Sequence, residues 1–148
     1  MKTFKFLSFF LMVFVATTAF AASSVNWKTD YQQAVQQAKS ESKPILLYFT
    51  GSDWCGWCKK LDKEVFHTSD FANRMGDKMI FVDVDFPMAS TQSQQVKSQN
   101  EKLKNKYSIK GFPTVVILDQ NENVMGQTGY KPGGPQAYAN HLSQIIGK

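Results

Sequence analysis

The chain has 148 residues, with 17 Lys and Arg against 12 Asp and Glu, a formal net charge of +5. That length suits one domain with one core, and lysines scattered among Gln and Ser are explained by solubility rather than by a nucleic-acid partner. With 2 cysteines in the chain, Cys55 and Cys58, a framework of several widely spaced disulfides is excluded.

Taken in chain order, the first segment reads as a leader. Lys2 and Lys5 give a positive start, Phe6 to Val15 is apolar except for Ser8, and Ala19-Phe20-Ala21 is a small-x-small cleavage pattern. That is the layout of a secretory signal peptide over residues 1–21, which leaves a domain over residues 22–148. The other reading is a membrane anchor. The apolar run is shorter than the roughly 20 residues a span takes, no stop-transfer pattern follows, and no cysteine lies near the site for lipid attachment. Removing Lys2 and Lys5 from the 17 basic residues leaves 15 against 12 acidic ones, a charge near +3. An exported chain meets an oxidising compartment, where disulfides persist.

Trp27, Tyr31, Ala34, Val35 and Ala38 recur at helical spacing, so a helix is expected there, capped by Asn26 or Thr29 and ended by Lys43-Pro44. Ile45 to Thr50, "ILLYFT", is a continuous apolar run that suits a strand buried on both faces. Gly51 and Ser52 turn the chain into a helix that starts at or just before Cys55 and runs to Val65 or Phe66. Cys58, Leu61 and Val65 form its inward stripe; Lys59, Lys60, Asp62 and Lys63 are expected to face water. A short helix capped by Ser69 follows, then a second strand over Met79 to Phe86. Ala89 to Lys106 is rich in Gln, Ser, Asn and Lys, and reads as a loop followed by a surface helix over Gln94 to Tyr107. Thr114 to Leu118 and Val124 to Thr128 form an antiparallel hairpin around "QNEN". Pro135 opens a last helix with Tyr138, Leu142, Ile145 and Ile146 as its core stripe. Strands separated by helices pair in parallel by crossover, and the hairpin closes the sheet. The expected architecture is a three-layer α/β sandwich with a mixed sheet and no second domain.

"SDWCGWCKK", Ser52 to Lys60, carries the chemistry. Cys55 at the helix N-terminus receives unpaired N–H groups and the positive end of the dipole, both of which stabilise a thiolate. Cys58, one turn in, is more buried and receives less. One sulfur can then attack a disulfide and the other resolve the mixed disulfide. The signals from neighbours are mixed: Lys59 and Lys60 favour the thiolate, while Asp53 opposes it. A structural staple is the weaker reading, because so short a loop removes little entropy from the unfolded chain. Zinc would need a second ligand pair, and His67 and His141 lack paired spacing. Covalent haem would need His directly after the second cysteine, where Lys59 stands. No metal and no cofactor are therefore expected.

From Pro44 to Ile146 the chain resembles the thioredoxin superfamily, on "DWCGWCK" after a buried strand and "GFPT", Gly111 to Thr114, before a later one. It looks closest to small exported thioredoxin-like proteins, including the periplasmic Dsb-type reductases of bacteria. The resemblance implies the thioredoxin fold, an α/β/α sandwich, with Cys55 as attacking and Cys58 as resolving cysteine. It implies that Pro113 is cis and leaves the backbone of Phe112 free to pair with an extended substrate; a trans proline starting a strand is the alternative. Trp54, Gly56 and Trp57 would complete the substrate surface. The chain departs from thioredoxin at Tyr48, which stands where thioredoxin has a buried Asp that assists the second cysteine, so water or Glu64 would have to serve. Gly56-Trp57 lacks both the Pro of thioredoxin and the His of the strong oxidants, and Ala89–Lys106 is an insertion relative to the smallest members.

Three functions follow. A periplasmic disulfide reductase would act on exported proteins and be re-reduced by a membrane thiol donor. An oxidase would donate its disulfide to folding proteins. A binding or chaperone module would use the disulfide structurally. The missing His favours the reductase. An isomerase is disfavoured because there is no room for a dimerisation region, so a monomer is expected.

Overall fold

A computed structural model describes residues 23–147; the expected leader, its cleavage site and a possible membrane anchor lie outside the described residues. Five strands and five helices follow one another as β1 (Trp27–Lys28), α1 (Tyr31–Glu41), β2 (Ile45–Thr50), α2 (Gly56–Leu61), α3 (Ser69–Met75), β3 (Ile80–Asp85), α4 (Gln94–Lys106), β4 (Thr114–Leu118), β5 (Val124–Thr128) and α5 (Gly134–Ile146). The sheet order is β1-β3-β2-β4-β5. β2 and β1 run parallel to β3, while β4 is antiparallel to β2 and to β5. The mixed sheet, the crossover between β2 and β3, and the β4–β5 hairpin are those expected from the sequence.

β2 is central, and all six of its residues are buried. Successive side chains point to opposite faces, which divides the core in two. Leu46 and Tyr48 join Cys58, Leu61, Phe66, Phe71, Tyr138 and Leu142 under α2, α3 and α5. Ile45, Leu47 and Phe49 join Tyr31, Ala34, Ala38 and Leu103 under α1 and α4. α4 is anchored by a buried polar residue: Asn100 Nδ2 donates to the Asp85 carbonyl at 2.9 Å.

Three boundaries differ from the sequence expectation. Trp27 is not helical. It lies in β1, where its ring meets Tyr48, Phe66 and Phe81 at 5.7, 5.3 and 5.3 Å. α1 begins only at Tyr31, because Asp30 caps it by accepting from the Gln33 N–H at 3.0 Å, in place of Asn26 or Thr29. Thr68 rather than Ser69 caps α3, its hydroxyl accepting from the Phe71 N–H. The helix that begins after Cys55 does reach Phe66, but Asp62–Phe66 is a π-helical segment, closed by His67 N–H donating to the Asp62 carbonyl at 2.8 Å. Its wider turn buries Val65 and Phe66 side by side. It also brings Asp62 against Tyr48, half-buried instead of facing water.

Candidate active site

The cysteines sit where the chain leaves the carboxyl end of β2, the end of a parallel strand at which open α/β sheets place their ligands. Gly51 makes the turn possible by its missing side chain: a Cβ there would lie 2.4 Å from the Trp54 indole. The Gly51 carbonyl accepts from the Cys55 N–H at 2.8 Å, and Ser52 is held from below by both oxygens of Asp85. Cys55 is the N-cap of α2, one position earlier than the first helical residue, and its Sγ accepts from the Cys58 N–H at 3.2 Å. Cys55 and Cys58 are disulfide-bonded, with Cα atoms 5.3 Å apart. Both are buried. The asymmetry expected from the sequence is present but narrow: Cys55 keeps 6% of its surface and Cys58 none.

The expected substrate residues gather around Cys55. Gly56 is exposed, and a Cβ on it would meet nothing within 4 Å, so the approach to the pair from that side is open. The Phe112–Pro113 peptide is cis, as the resemblance implied. The β4 ladder starts only at Thr114, so Phe112 lies outside it. Trp54 is 43% exposed, donates its indole N–H to the Phe86 carbonyl at 2.8 Å, and meets Phe112 edge-on at 5.8 Å. Phe86 in turn stacks on Phe112 at 5.2 Å. Trp57 is 58% exposed and packs on Tyr130 at 5.2 Å.

Electrostatically, the site differs from the sequence reading. Asp53 does not aim its charge at Cys55. Its carboxylate accepts from the backbone N–H groups of Met88, Ala89 and Ser90, and these bonds hold its pKa below the usual carboxylate range. Glu64 is committed to Tyr130, whose hydroxyl donates to it at 2.7 Å, and to Lys60. Lys59 donates to the Asp53 carbonyl at 2.8 Å.

Behind Cys58 the structure holds an acidic recess that the sequence reading missed. The Tyr48 hydroxyl donates to the Cys58 carbonyl at 3.2 Å. Burial pushes that phenol well above its ordinary pKa. Tyr48 pairs in register with Asp83 on β3, so both side chains share one face. Tyr48, Thr50, Ser52, Asp62, His67 and Asp83 line a cavity of about 240 Å³. Asp83 Oδ1 is shut off from solvent without a hydrogen-bond partner among the described residues. Burial, reinforced by the charges of Asp85 and Asp62, pushes the Asp83 pKa up to about 7. The signal available in the sequence was an acid at an alternating position of the strand "IFVDVD".

Exchange of thiols for disulfides is the chemistry such a pair supports, and on this sheet it marks a thioredoxin-fold thiol–disulfide oxidoreductase. The chain belongs to the thioredoxin-like family: residues 31–145 match the family described as "Thioredoxin-like domain". It is 35% identical over 130 residues to the disulfide bond reductase DsbH of Chlamydia pneumoniae, covering 88% of this chain and 78% of that one. The thioredoxin-related protein DsbJ of the same organism is 34% identical over 108 residues, covering 73% of this chain and 31% of that one. A solved structure described as DsbH oxidoreductase superposes with a TM-score of 0.82 at 32% identity, covering 92% of this chain and 94% of that chain.

Proposed function

We propose that the protein is an exported, periplasmic disulfide reductase acting as a monomer. The Cys55 thiolate attacks one sulfur of a substrate disulfide. A mixed disulfide forms, and the other substrate sulfur leaves as a thiolate and takes up a proton. Cys58 then loses its proton, attacks the Cys55 sulfur and releases the second substrate thiol. The substrate gains two electrons and two protons, and the protein's dithiol becomes the disulfide. Because an oxidising compartment does not restore the dithiol, a membrane thiol donor is required. Trp54, Gly56, Trp57, Phe112 and Pro113 receive the substrate, which comes from exported disulfide-bearing proteins.

The observation that carries the direction is the weak support for a Cys55 thiolate. Its sulfur accepts one backbone N–H, from Cys58. Lys59 is turned to a carbonyl, and Gly56-Trp57 supplies no imidazole. A strong oxidant needs its reduced form stabilised, and little here does that. The name of the Chlamydia relative, a disulfide bond reductase, points the same way.

The test is equilibration of the purified protein with glutathione, read by the fluorescence of Trp54 and Trp57. The expected potential is near the thioredoxin value of about −270 mV; a value near about −120 mV would make the protein a disulfide donor. Cys58→Ser should trap substrates on Cys55. An absence of adducts, together with unchanged function, would favour the binding module.

A further inference from the structure

Cys55 is flanked by two aromatic walls, and lysines outnumber acids on the segments that form them. The first wall is Trp54, Phe86 and Phe112, and the loop that follows Phe86 exposes Met88, 78% open to solvent. The second is Trp57 with Tyr130. Lys60 Nζ lies 5.1 Å from the Trp57 ring centroid and 5.0 Å from that of Tyr130. Such a lysine is held over two π faces, which fixes a normally flexible cation in place. Tyr130 belongs to the loop after β5. That loop passes close to the cis-proline, since a Cβ on Gly129 would lie 3.1 Å from the Pro113 carbonyl oxygen.

Four exposed lysines stand on the segments that form these walls: Lys59 and Lys60 on α2, Lys110 before Gly111-Phe112, and Lys131 directly after Tyr130. The acids on the same segments are already engaged. Asp53 is taken by three backbone N–H groups, and Glu64 by Tyr130 and Lys60. Asp62 is half-buried against Tyr48, on the side of the recess. The loop Phe86 to Gln92, behind the first wall, carries no charge. An extended segment laid between the walls therefore meets apolar rings beside its cysteine and ammonium groups beyond them.

We propose that this surface selects disulfides flanked by acidic residues: the occupant is an extended, acidic peptide segment of the substrate, with an apolar side chain next to the cysteine. The selection rests on the reductase reading and adds to it. Lys60 is the central specificity residue, with Lys110 and Lys131 extending the same field.

The test uses three peptides with one identical internal disulfide, flanked by two Glu, two Gln or two Lys residues. Their reduction by the intact protein, recycled with dithiothreitol, is compared as kcat/KM at low salt. The Glu peptide should exceed the Lys peptide by about tenfold, with the Gln peptide between them, and the ratio should approach one at about 0.5 M salt, where screening acts within about 4 Å. In the double variant Lys60→Gln, Lys131→Gln, the ratio should fall by at least about threefold at low salt. Trp54→Ala, on the wall that holds no lysine, should slow all three peptides together and leave the ratio standing. Equal rates on the three peptides would overturn the selection while keeping the reductase. Reduction of none of them would overturn both.

Discussion

The Asp83 carboxyl is held away from water, with one oxygen shut off from solvent. Its ordinary pKa of 3.8 rises to about 7, first because it is buried and then because Asp85 and Asp62 repel its charge. A carboxyl with a raised folded pKa binds its proton more tightly in the fold than in the unfolded chain. Its contribution is fully favourable below the unfolded pKa and is lost as pH rises from about 4 through about 7. The gap between 3.8 and about 7 corresponds to about 4 kcal/mol at most, taking 1.36 kcal/mol per unit. Asp83→Asn keeps the shape and removes the charge. It should match the parent protein near pH 4 and exceed it by about 2–4 kcal/mol at pH 8. Urea unfolding at both pH values checks this, and parallel stability profiles for the two proteins would show that Asp83 is not ionised at a cost in the fold. The same variant addresses Cys58, because Asp83 is the register partner of Tyr48, whose hydroxyl bonds the Cys58 carbonyl.

At the scale of elements, the loop between β3 and α4 is tied down by side chains around it, with Trp54 bonding the Phe86 carbonyl and Asp53 on the neighbouring turn taking most of the bonds. Asp53 gathers the N–H groups of Met88, Ala89 and Ser90, and Gln92 adds a bond from its side chain to the Asp85 carbonyl. Asp53→Ala should therefore free this loop without unfolding the domain. Amide exchange at Met88 to Ser90 should accelerate by at least about tenfold, while the exchange of β2 amides stays as it was. If the loop amides remain protected, packing and not Asp53 holds it.

These elements also show what the sequence could carry. β2, β3, the hairpin and the helix start at Cys55 were legible because each depends on local pattern: a continuous apolar run, an alternation, a turn cluster, a capped start. Trp27–Lys28 was not legible as a strand. Its spacing to Tyr31 and Ala34 fits a helix, and the contacts that decide otherwise come from Tyr48, Phe66 and Phe81, far along the chain. Cys58, Leu61 and Val65 are buried as expected, but Asp62 is half-buried and Phe66 joins the core because a π turn widens the inward stripe, and no spacing in "KKLDKEVF" announces it. Asp83 was passed over because an alternating acid reads as a solvent face. It is half-buried because Trp27, Tyr48 and Asp62, from distant parts of the chain, close around the same recess. Tyr130 lies in a loop, where no period marks which side chain reaches the site.

For the whole molecule, redox state and stability are one linked equilibrium. The potential of the folded pair differs from that of the unfolded chain by the amount that the disulfide changes folding free energy. A strong oxidant is more stable reduced, since its reduced form is the favoured one. A reductase has the opposite preference. Potentials of about −270 and −120 mV differ by about 150 mV, which at 1.4 kcal/mol per 30 mV is about 7 kcal/mol in the stability gap between the two redox forms. So wide a separation is enough to reverse the sign of that gap. The present geometry places Cys58 in the closed core with no exposed surface and gives the Cys55 sulfur one backbone donor, so little in the fold rewards a pair of separated, ionised sulfurs. The oxidised protein should accordingly melt above the reduced one by at least about 3 °C, the shift expected from about 1 kcal/mol in a domain of this size. Two thermal scans suffice, one of the disulfide form and one in excess dithiothreitol. A reduced form that melts higher would reverse the assigned direction of electron flow, whatever substrates the protein accepts.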